Sequence, residues 1–113
     1  MEDVDTRRWT LDGAQAVVKD VRQRTERAVE RAESLIAARE RAPEPEWAAL
    51  DERIQGVVSR WAREIEALGA EVKGAWLVDF DNGSGYYCWK WPEPELAFFH
   101  TYEEGFEGRV RIQ

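Results

Sequence analysis

The sequence has little of several features on which common protein classes depend. It contains one cysteine, Cys88, so no disulfide can form within the chain and a reducing compartment fits. No apolar run approaches the ~20 residues that span a bilayer, so we expect no membrane insertion. The opening residues, MEDVD, are acidic and lack an apolar core, so we expect no secretory signal and a cytoplasmic location.

Basic side chains are in the minority, with 16 Lys and Arg against 23 Asp and Glu and a net charge of -7. An acidic chain repels phosphate backbones, so we expect no nucleic-acid partner. The charge is uneven, because residues 7–41 hold nine basic and six acidic groups, whereas residues 42–113 hold seven and fourteen. A basic first half and an acidic second half can pair within the molecule or across a dimer.

Apolar residues are plentiful, at 43% of 113 residues with six tryptophans, which is enough for the core of one domain over residues 1–113. Thr10 is a suitable N-cap for a first helix predicted over 10–41. Its apolar positions keep an unbroken heptad spacing, the pattern of an antiparallel hairpin or coiled coil. These positions are Leu11, Ala14, Val18, Val21, Thr25, Ala28, Ala32 and Leu35.

A second helix is predicted over 44–69, after Pro43 and Pro45 end the first and before Gly69 caps the second. Its apolar stripe is bulky and so complements the small residues of the first helix. The stripe comprises Trp47, Leu50, Ile54, Val57, Trp61, Ile65 and Leu68.

After Gly74 the apolar period changes from 3.6 to 2, which predicts an antiparallel sheet of three to four strands within 75–112. Strands are expected at 76–80, 86–91, 95–100 and 109–112, with a tight turn at 81–85. The fold class is therefore α+β, an N-terminal antiparallel helical hairpin followed by the sheet.

The helices suggest self-association. They would run ~43 Å and ~38 Å, whereas six-residue strands reach only ~20 Å, so the sheet cannot cover the whole hairpin. Val17, Val29 and Ile36 lie off the heptad seam and would be exposed in a monomer. We therefore expect a homodimer built on the helices.

The C-terminal half also carries a set of short motifs. These are Ile65 to Lys73, Leu77-Val78-Asp79-Phe80, Cys88-Trp89-Lys90, Glu93, His100 and Gly105 to Arg109. Together they resemble the prokaryotic family called domain of unknown function 2203, over about residues 62–113. The sequence departs from that pattern with Phe99 in place of Trp, Asp81 in place of Pro and Pro92 in place of Gly. The resemblance implies no activity. It does mark five positions as a candidate functional cluster: Asp79, Cys88, Glu93, His100 and Arg109.

Cys88 and His100 give the most specific chemical hypothesis. An odd number of residues in the turn between their strands would place both on one sheet face, and a five-residue loop would place them directly opposite. A thiolate and an imidazole, with Asp79 or Glu95 as a third ligand, form a set that holds zinc or iron. The alternative is structural, because a lone cysteine is usually a small buried hydrophobe.

Other sites are less well supported by the residues. A Cys88–His100 nucleophile would lack an orienting group, and acidic neighbours would raise the pKa of the thiol. Residues 79–83 resemble the start of a calcium loop, but Lys90 stands where the bidentate glutamate belongs. A base-stacking platform of Tyr87, Trp89 and Trp91 would lie among glutamates, so packing against Trp47 or Trp61 explains these rings better.

The arginines have simple explanations. Arg22, Arg24, Arg27 and Arg31 alternate with glutamates, as on a solvated or partner-facing helix. Arg109 is expected to pair with a carboxylate such as Asp79, or else to bind an anion in a small pocket.

Taken together, the sequence predicts a non-enzymatic interaction or structural module that dimerises through its helices and needs no cofactor. The alternative is a metal-dependent enzyme or sensor with zinc or iron at Asp79, Cys88 and His100.

Overall fold

A helical hairpin precedes a five-stranded antiparallel sheet in the computed structural model, which describes residues 8–112. The helices are α1 (Leu11–Arg41) and α2 (Trp47–Ala67), joined through a 3-10 turn at Glu44–Glu46. The strands are β1 (Glu71–Gly74), β2 (Leu77–Asp81), β3 (Gly85–Lys90), β4 (Phe98–Thr101) and β5 (Val110–Arg111), with a second 3-10 turn at Phe106–Gly108. The predicted α+β class is confirmed.

The helix ends follow the expected local chemistry. Thr10 caps α1, because its Oγ1 accepts a hydrogen bond from the Gly13 N–H at 3.0 Å. α1 ends at Arg41, two residues before Pro43, which cannot continue a hydrogen-bonded helix. α2 is followed by Gly69 at φ 100°, a left-handed conformation that glycine adopts without steric cost.

The two helices pack antiparallel along their length. Arg39 pairs with Asp51 near the tip of the hairpin, whereas Arg24 pairs with Glu64 nearer the sheet. As the residue number rises on one helix it falls on the other, which is the relation that an antiparallel pair requires.

The buried seam of α1 departs from the strict heptad. Its buried residues are Ala14, Val18, Val21, Thr25, Val29 and Ala32. Several of them, such as Val18 and Val29, are eleven positions apart, a spacing that suits a straight helix rather than a left-handed supercoil. Val29 thus turns into the interface and is 7% exposed, so the prediction that it is exposed is wrong. Ala28 of the predicted seam is half-buried. Of the three residues expected to be exposed, Val17 is half-buried as well, and only Ile36 is exposed, at 43%.

Thr25 and Trp61 form a polar contact inside the helix interface. Both side chains are almost fully buried, and the Trp61 Nε1–H donates to Thr25 Oγ1 at 2.7 Å. The Thr25 hydroxyl in turn donates to the Val21 carbonyl at 2.7 Å. Because each buried polar group has a partner, the contact fixes how the two helices align without leaving an unsatisfied atom.

We expect Thr25→Val to lower the free energy of unfolding by about 1–3 kcal/mol, because it leaves the buried Trp61 indole N–H without an acceptor. Chemical denaturation measures this loss. In a Trp61→Phe background the same substitution should cost clearly less, since no indole N–H remains to satisfy. An equal cost in both backgrounds would contradict the role given to the hydrogen bond.

The sheet is a simple meander in the order β1-β2-β3-β4-β5. It has five strands, one more than the largest number expected. The additional strand is β1, which lies before the predicted start of the sheet at residue 75. Val78, Phe80 and Trp89 face the helices and belong to the main core with Trp61. Trp61 also meets Trp76 edge-on at 4.9 Å.

The aromatic stripe of β3 packs as expected against Trp61 but not against Trp47. Tyr87 and Trp91 are half-buried against the core that contains Trp61 and Trp89. Trp47 lies at the tip of the hairpin, 37% exposed, with the Arg39 guanidinium 4.7 Å above its ring. Neither helix between residues 8 and 112 combines the length and apolar content needed to cross a membrane.

Candidate metal centre

The face of the sheet that points away from the helices carries a group of buried polar side chains. Side chains alternate along a strand, so Asp79 lies opposite its core-facing neighbours Val78 and Phe80. Asp79 pairs directly with Cys88, and His100 pairs with Tyr86, two positions along β3 from Cys88. The three side chains therefore share this outer face.

The expected common face of Cys88 and His100 is thus confirmed, although they are diagonal rather than directly opposite. Phe98 is the residue that pairs with Cys88 across β3 and β4. Glu95, the other carboxylate considered as a third ligand, is exposed and lies outside the cluster.

The outer-face residues are buried even though no helix covers them. Cys88, Asp79 and His100 are 0%, 2% and 3% exposed. The Lys73 Nζ lies 3.7 Å from the Tyr86 ring centre on one side. On the other side, the Arg109 guanidinium is 4.1 Å from the ring centres of Phe98 and Phe106. Long side chains from both edges of the sheet therefore exclude water from the group.

The donor atoms of the three residues converge. One carboxylate oxygen, one thiol sulfur and one imidazole nitrogen lie within 4.8 Å of one another. His100 Nε2 is 3.0 Å from Asp79 Oδ2, and its Nδ1 is 2.7 Å from the Thr101 carbonyl oxygen. Asp79 Oδ1 is buried and makes no well-formed hydrogen bond within residues 8–112, although the Cys88 thiol lies close enough to interact with the Asp79 carboxylate.

Both nitrogens of the His100 ring face hydrogen-bond acceptors, the Thr101 carbonyl and the Asp79 carboxylate. A carbonyl oxygen only accepts hydrogen bonds, so Nδ1 must carry a proton that it donates to Thr101. In a neutral ring, Nε2 then presents a lone pair to the Asp79 carboxylate, which is also an acceptor. A proton or a metal ion between these two atoms removes the conflict. A metal-bound histidine commonly donates its other N–H to a backbone carbonyl in this way.

Glu93 and Arg109 lie directly beside this group. The Arg109 guanidinium makes two contacts to the Glu93 carboxylate, at 2.9 and 3.2 Å, and its Nη1 is 3.9 Å from Cys88 Sγ. The expected pairing of Arg109 with a carboxylate is therefore confirmed, although the partner is Glu93 and not Asp79, the example given. Glu93 reaches Arg109 because its Oε1 also accepts from the Lys90 N–H, which holds the loop after β3 against the sheet. All five residues of the candidate cluster are close together.

Lys73 also belongs to the site but was not predicted from the sequence; its Nζ lies 3.4 Å from Asp79 Oδ2 and 3.6 Å from Glu71 Oε1. Both residues belong to β1, the strand that the sequence interpretation missed. The alternation of Glu71, Val72 and Lys73 is a short period-2 pattern and could have indicated it.

The environment of Cys88 opposes a thiolate when no metal is bound. Burial, and after it the negative charge of Asp79, raise the pKa of the thiol to about 12. The thiol is therefore protonated at neutral pH, as expected from its acidic neighbours, and is poorly suited to act as a free nucleophile.

We expect Cys88 in metal-free folded protein to react with iodoacetamide about a thousandfold more slowly at pH 8 than in unfolded protein, because its pKa rises from 9.0 to about 12. The folded rate should keep rising with pH beyond 9, where the unfolded rate levels off. Mass spectrometry of quenched samples measures both rates. Folded and unfolded rates within tenfold of each other would contradict this environment.

Residues 81–85 form a turn, as predicted, and not a cation loop. The Asp81 carboxylate accepts from the Gly83 N–H at 2.9 Å and from the Tyr102 hydroxyl at 2.6 Å. Asn82 Oδ1 accepts from the Ser84 and Gly85 N–H groups. These oxygens are occupied by internal hydrogen bonds, so the turn explains the residues without calcium.

Comparison with known proteins identifies one family. The family described as "Uncharacterized conserved protein (DUF2203)" matches residues 7–112, which is nearly the whole chain. No curated protein and no solved structure matches this chain. The match confirms the resemblance found in the C-terminal motifs and extends it over both helices. The chain belongs to the DUF2203 family.

Proposed function

We propose that the protein is a non-enzymatic metal-binding module that holds zinc through Asp79, Cys88 and His100. The observation that carries the proposal is the convergence of three different donor atoms within 4.8 Å, in side chains no more than 3% exposed. Sulfur, imidazole nitrogen and carboxylate oxygen are the three donors that zinc takes in proteins. Iron(II) is the other metal that this donor set suits.

Two unsatisfied features of the cluster support a cation. Within residues 8–112 Asp79 Oδ1 is buried without a well-formed hydrogen bond, and the weak S–H donor of Cys88 beside the carboxylate offsets little of that cost. His100 Nε2 faces Asp79 Oδ2, and a metal ion in place of a proton would satisfy both atoms. The Nδ1–H bond to Thr101 would then fix the tautomer and orientation of the ligating ring.

The surrounding charges also suit a divalent ion. With Cys88 as a thiolate, the negative groups are Asp79, Cys88, Glu71 and Glu93, and the positive groups are Lys73 and Arg109. Four negative charges against two positive charges leave an excess of two, which one zinc ion neutralises. Metal binding would deprotonate the thiol directly, whatever its pKa in the free protein.

The burial of the donors supports a structural or sensing role rather than catalysis. The three donors would leave a fourth position on a tetrahedral zinc, and a catalytic zinc keeps that position where substrate can reach it. The three donors here are covered by Lys73, Arg109 and the aromatic rings next to them. The proposal includes a cytoplasmic location, where a thiol ligand stays reduced.

Elemental analysis of protein purified without a histidine tag tests the proposal. We expect about one equivalent of zinc after dialysis against zinc followed by buffer, and cobalt(II) substitution should give the charge-transfer absorption of a metal thiolate. Cys88→Ser should remove that absorption and most of the metal. Zinc well below one equivalent that Cys88→Ser does not change would end the proposal.

We also propose, as a second candidate, that the distal half of the hairpin binds a second copy of the chain. In α2 only Trp61 and Ile65 are buried, so Leu50 and Ile54 of its apolar stripe stay partly exposed. Ile36 and Trp47 at the same end are 43% and 37% exposed. A second hairpin with the same stripe is the occupant that would cover these residues at little electrostatic cost.

Sedimentation at micromolar concentration tests the dimer. We expect the mass of two chains for the native protein and a shift toward one chain for Ile36→Glu, which places a charge in the proposed contact. Arg41→Glu, an exposed change on the same helix that leaves the apolar stripe intact, is the control. A stable monomer of the native protein would exclude this candidate.

A further inference from the structure

A cleft between the two helices is lined by arginines from both sides. Its volume is about 410 Å³, within the range of pockets that bind small molecules. Its arginines are Arg24, Arg27 and Arg31 on α1 and Arg53 and Arg60 on α2. The cleft is separate from the candidate metal centre, since none of its lining residues belongs to the sheet.

The positive charge of the cleft is largely uncompensated. Glu64 is the one acidic residue among the lining residues that the structure describes. It pairs with Arg24 at 3.2 Å and with Arg60 at 3.8 Å, and Asp20, outside the lining, also pairs with Arg24 at 2.9 Å. Within residues 8–112, Arg27, Arg31 and Arg53 make no ion pair.

This concentration of charge is unusual for a chain whose net charge is -7. Arg27 and Arg31 are one helical turn apart, and like charges at that spacing destabilise a helix. The glutamates of this part of α1, at positions 26, 30 and 33, do not line the cleft. The cleft therefore brings together like charges that a bound anion would neutralise.

The floor of the cleft is apolar and open. Ala28, Leu35 and Val57 are half-buried there, beside Trp61. Gly56 lies within α2, where glycine weakens a helix, and no atom lies within 4 Å of the Cβ that another residue would place there. Because Gly56 has no side chain, the space beside it in the cleft is open to a ligand.

We propose that this cleft binds the phosphate groups of a small organic molecule, with the organic part resting on the floor beside Gly56. The planar arginine side chain gives two parallel hydrogen bonds to phosphate oxygens, and Arg27, Arg31 and Arg53 have this capacity free among the described contacts. A diphosphate carries several negative charges in a compact group, so it can contact arginines on both helices at once. The ligand thereby bridges α1 and α2.

Inorganic pyrophosphate is the probe for the charged part of this ligand. Calorimetry and thermal denaturation of the whole chain at constant ionic strength measure its binding. We expect pyrophosphate to raise the Tm of the native protein and the double variant Arg27→Gln/Arg53→Gln to weaken its affinity about a hundredfold, roughly tenfold for each charged contact. Both arginines are exposed, so the variant should fold normally.

Arg41→Gln/Arg63→Gln is the matched control, because it removes the same two positive charges from exposed arginines of α1 and α2 that do not line the cleft. It should change the affinity by less than about twofold, the scale of a general charge effect. If the control lost as much affinity for pyrophosphate, the effect would be explained by net charge alone and the proposed site would be wrong. It would also be wrong if the Tm rise were no greater than that given by sodium chloride at the same ionic strength.

The same variants separate a ligand site from a protein interface. If sedimentation shows that Arg27→Gln/Arg53→Gln lowers the mass of the native protein while pyrophosphate has no effect, the cleft is covered by a second chain and the proposal is wrong. If pyrophosphate binds and the mass is unchanged, the cleft is a phosphate site.

Discussion

Trp61→Ala is expected to remove a large share of the stability of the folded protein. The Trp61 side chain is 2% exposed, lies in the core shared by the helices and the sheet, and meets Trp76 edge-on. Truncating a buried tryptophan to alanine costs about 3–5 kcal/mol, and a domain of this size is stable by only about 5–15 kcal/mol. The loss of the Thr25 hydrogen bond adds to the cavity, because the hydroxyl then has no indole donor.

Trp47→Ala is the matched control for this prediction. Its ring is 37% exposed at the hairpin tip, where Nε1 donates to the Ala42 carbonyl and Arg39 covers one face. We expect it to cost about 1 kcal/mol, the scale of a partly exposed contact of this kind. Urea denaturation followed by circular dichroism compares the two variants. Similar losses for both would show that Trp61 does not join the helices to the sheet.

Zinc is expected to stabilise the native protein strongly and the His100→Gln variant hardly at all. A ligand present at a thousand times its Kd stabilises the folded state by about 4 kcal/mol, provided that the unfolded chain does not bind it. For a domain of about this length, that corresponds to a rise in Tm of roughly 10–20 °C. Thermal denaturation with zinc and then with a chelator measures the rise and its reversal.

Glu95→Gln controls for carboxylates in general, because Glu95 is exposed and outside the cluster. This variant should keep the full zinc response. If His100→Gln responds as the native protein does, zinc binds elsewhere and the proposed centre is wrong. Comparing the variants in the presence of the chelator separates the loss of metal from any loss of intrinsic stability.

The helices were predictable because their signals are local. The spacing of apolar residues, Thr10 at the start, Pro43 after the first helix and Gly69 after the second each act within a few residues. The burial of Val29 was not predictable from a heptad template, since small differences between 3.5 and 3.6 residues per turn accumulate along the 31 residues of α1. β1 was missed because its four residues include only one bulky apolar side chain, Val72.

The candidate centre was partly predictable for a similar reason. Strand alternation placed Cys88 and His100 on one face on the condition that the turn between their strands has an odd number of residues, and it left Asp79 and Glu95 as alternatives for the third ligand. The pairing of Arg109 with Glu93 depends on how the loop after β3 folds back, and sequence patterns do not fix that geometry. The arginine cleft was not predicted because it forms only where α1 and α2 pack side by side. When the helices are considered separately, the arginines of each look like a solvated face.

Trp9 has a consequence for how the chain folds. Its backbone N–H donates to the Asp81 carbonyl at 2.7 Å, its Nε1–H donates to the Gly69 carbonyl at 3.3 Å, and its ring meets Phe80 edge-on. The hairpin and the meander are built from neighbours in sequence and can form early, whereas these contacts close a loop of 60 residues or more. Trp9 should therefore dock after the folding barrier is crossed, so that weakening its contacts accelerates unfolding while refolding keeps its speed.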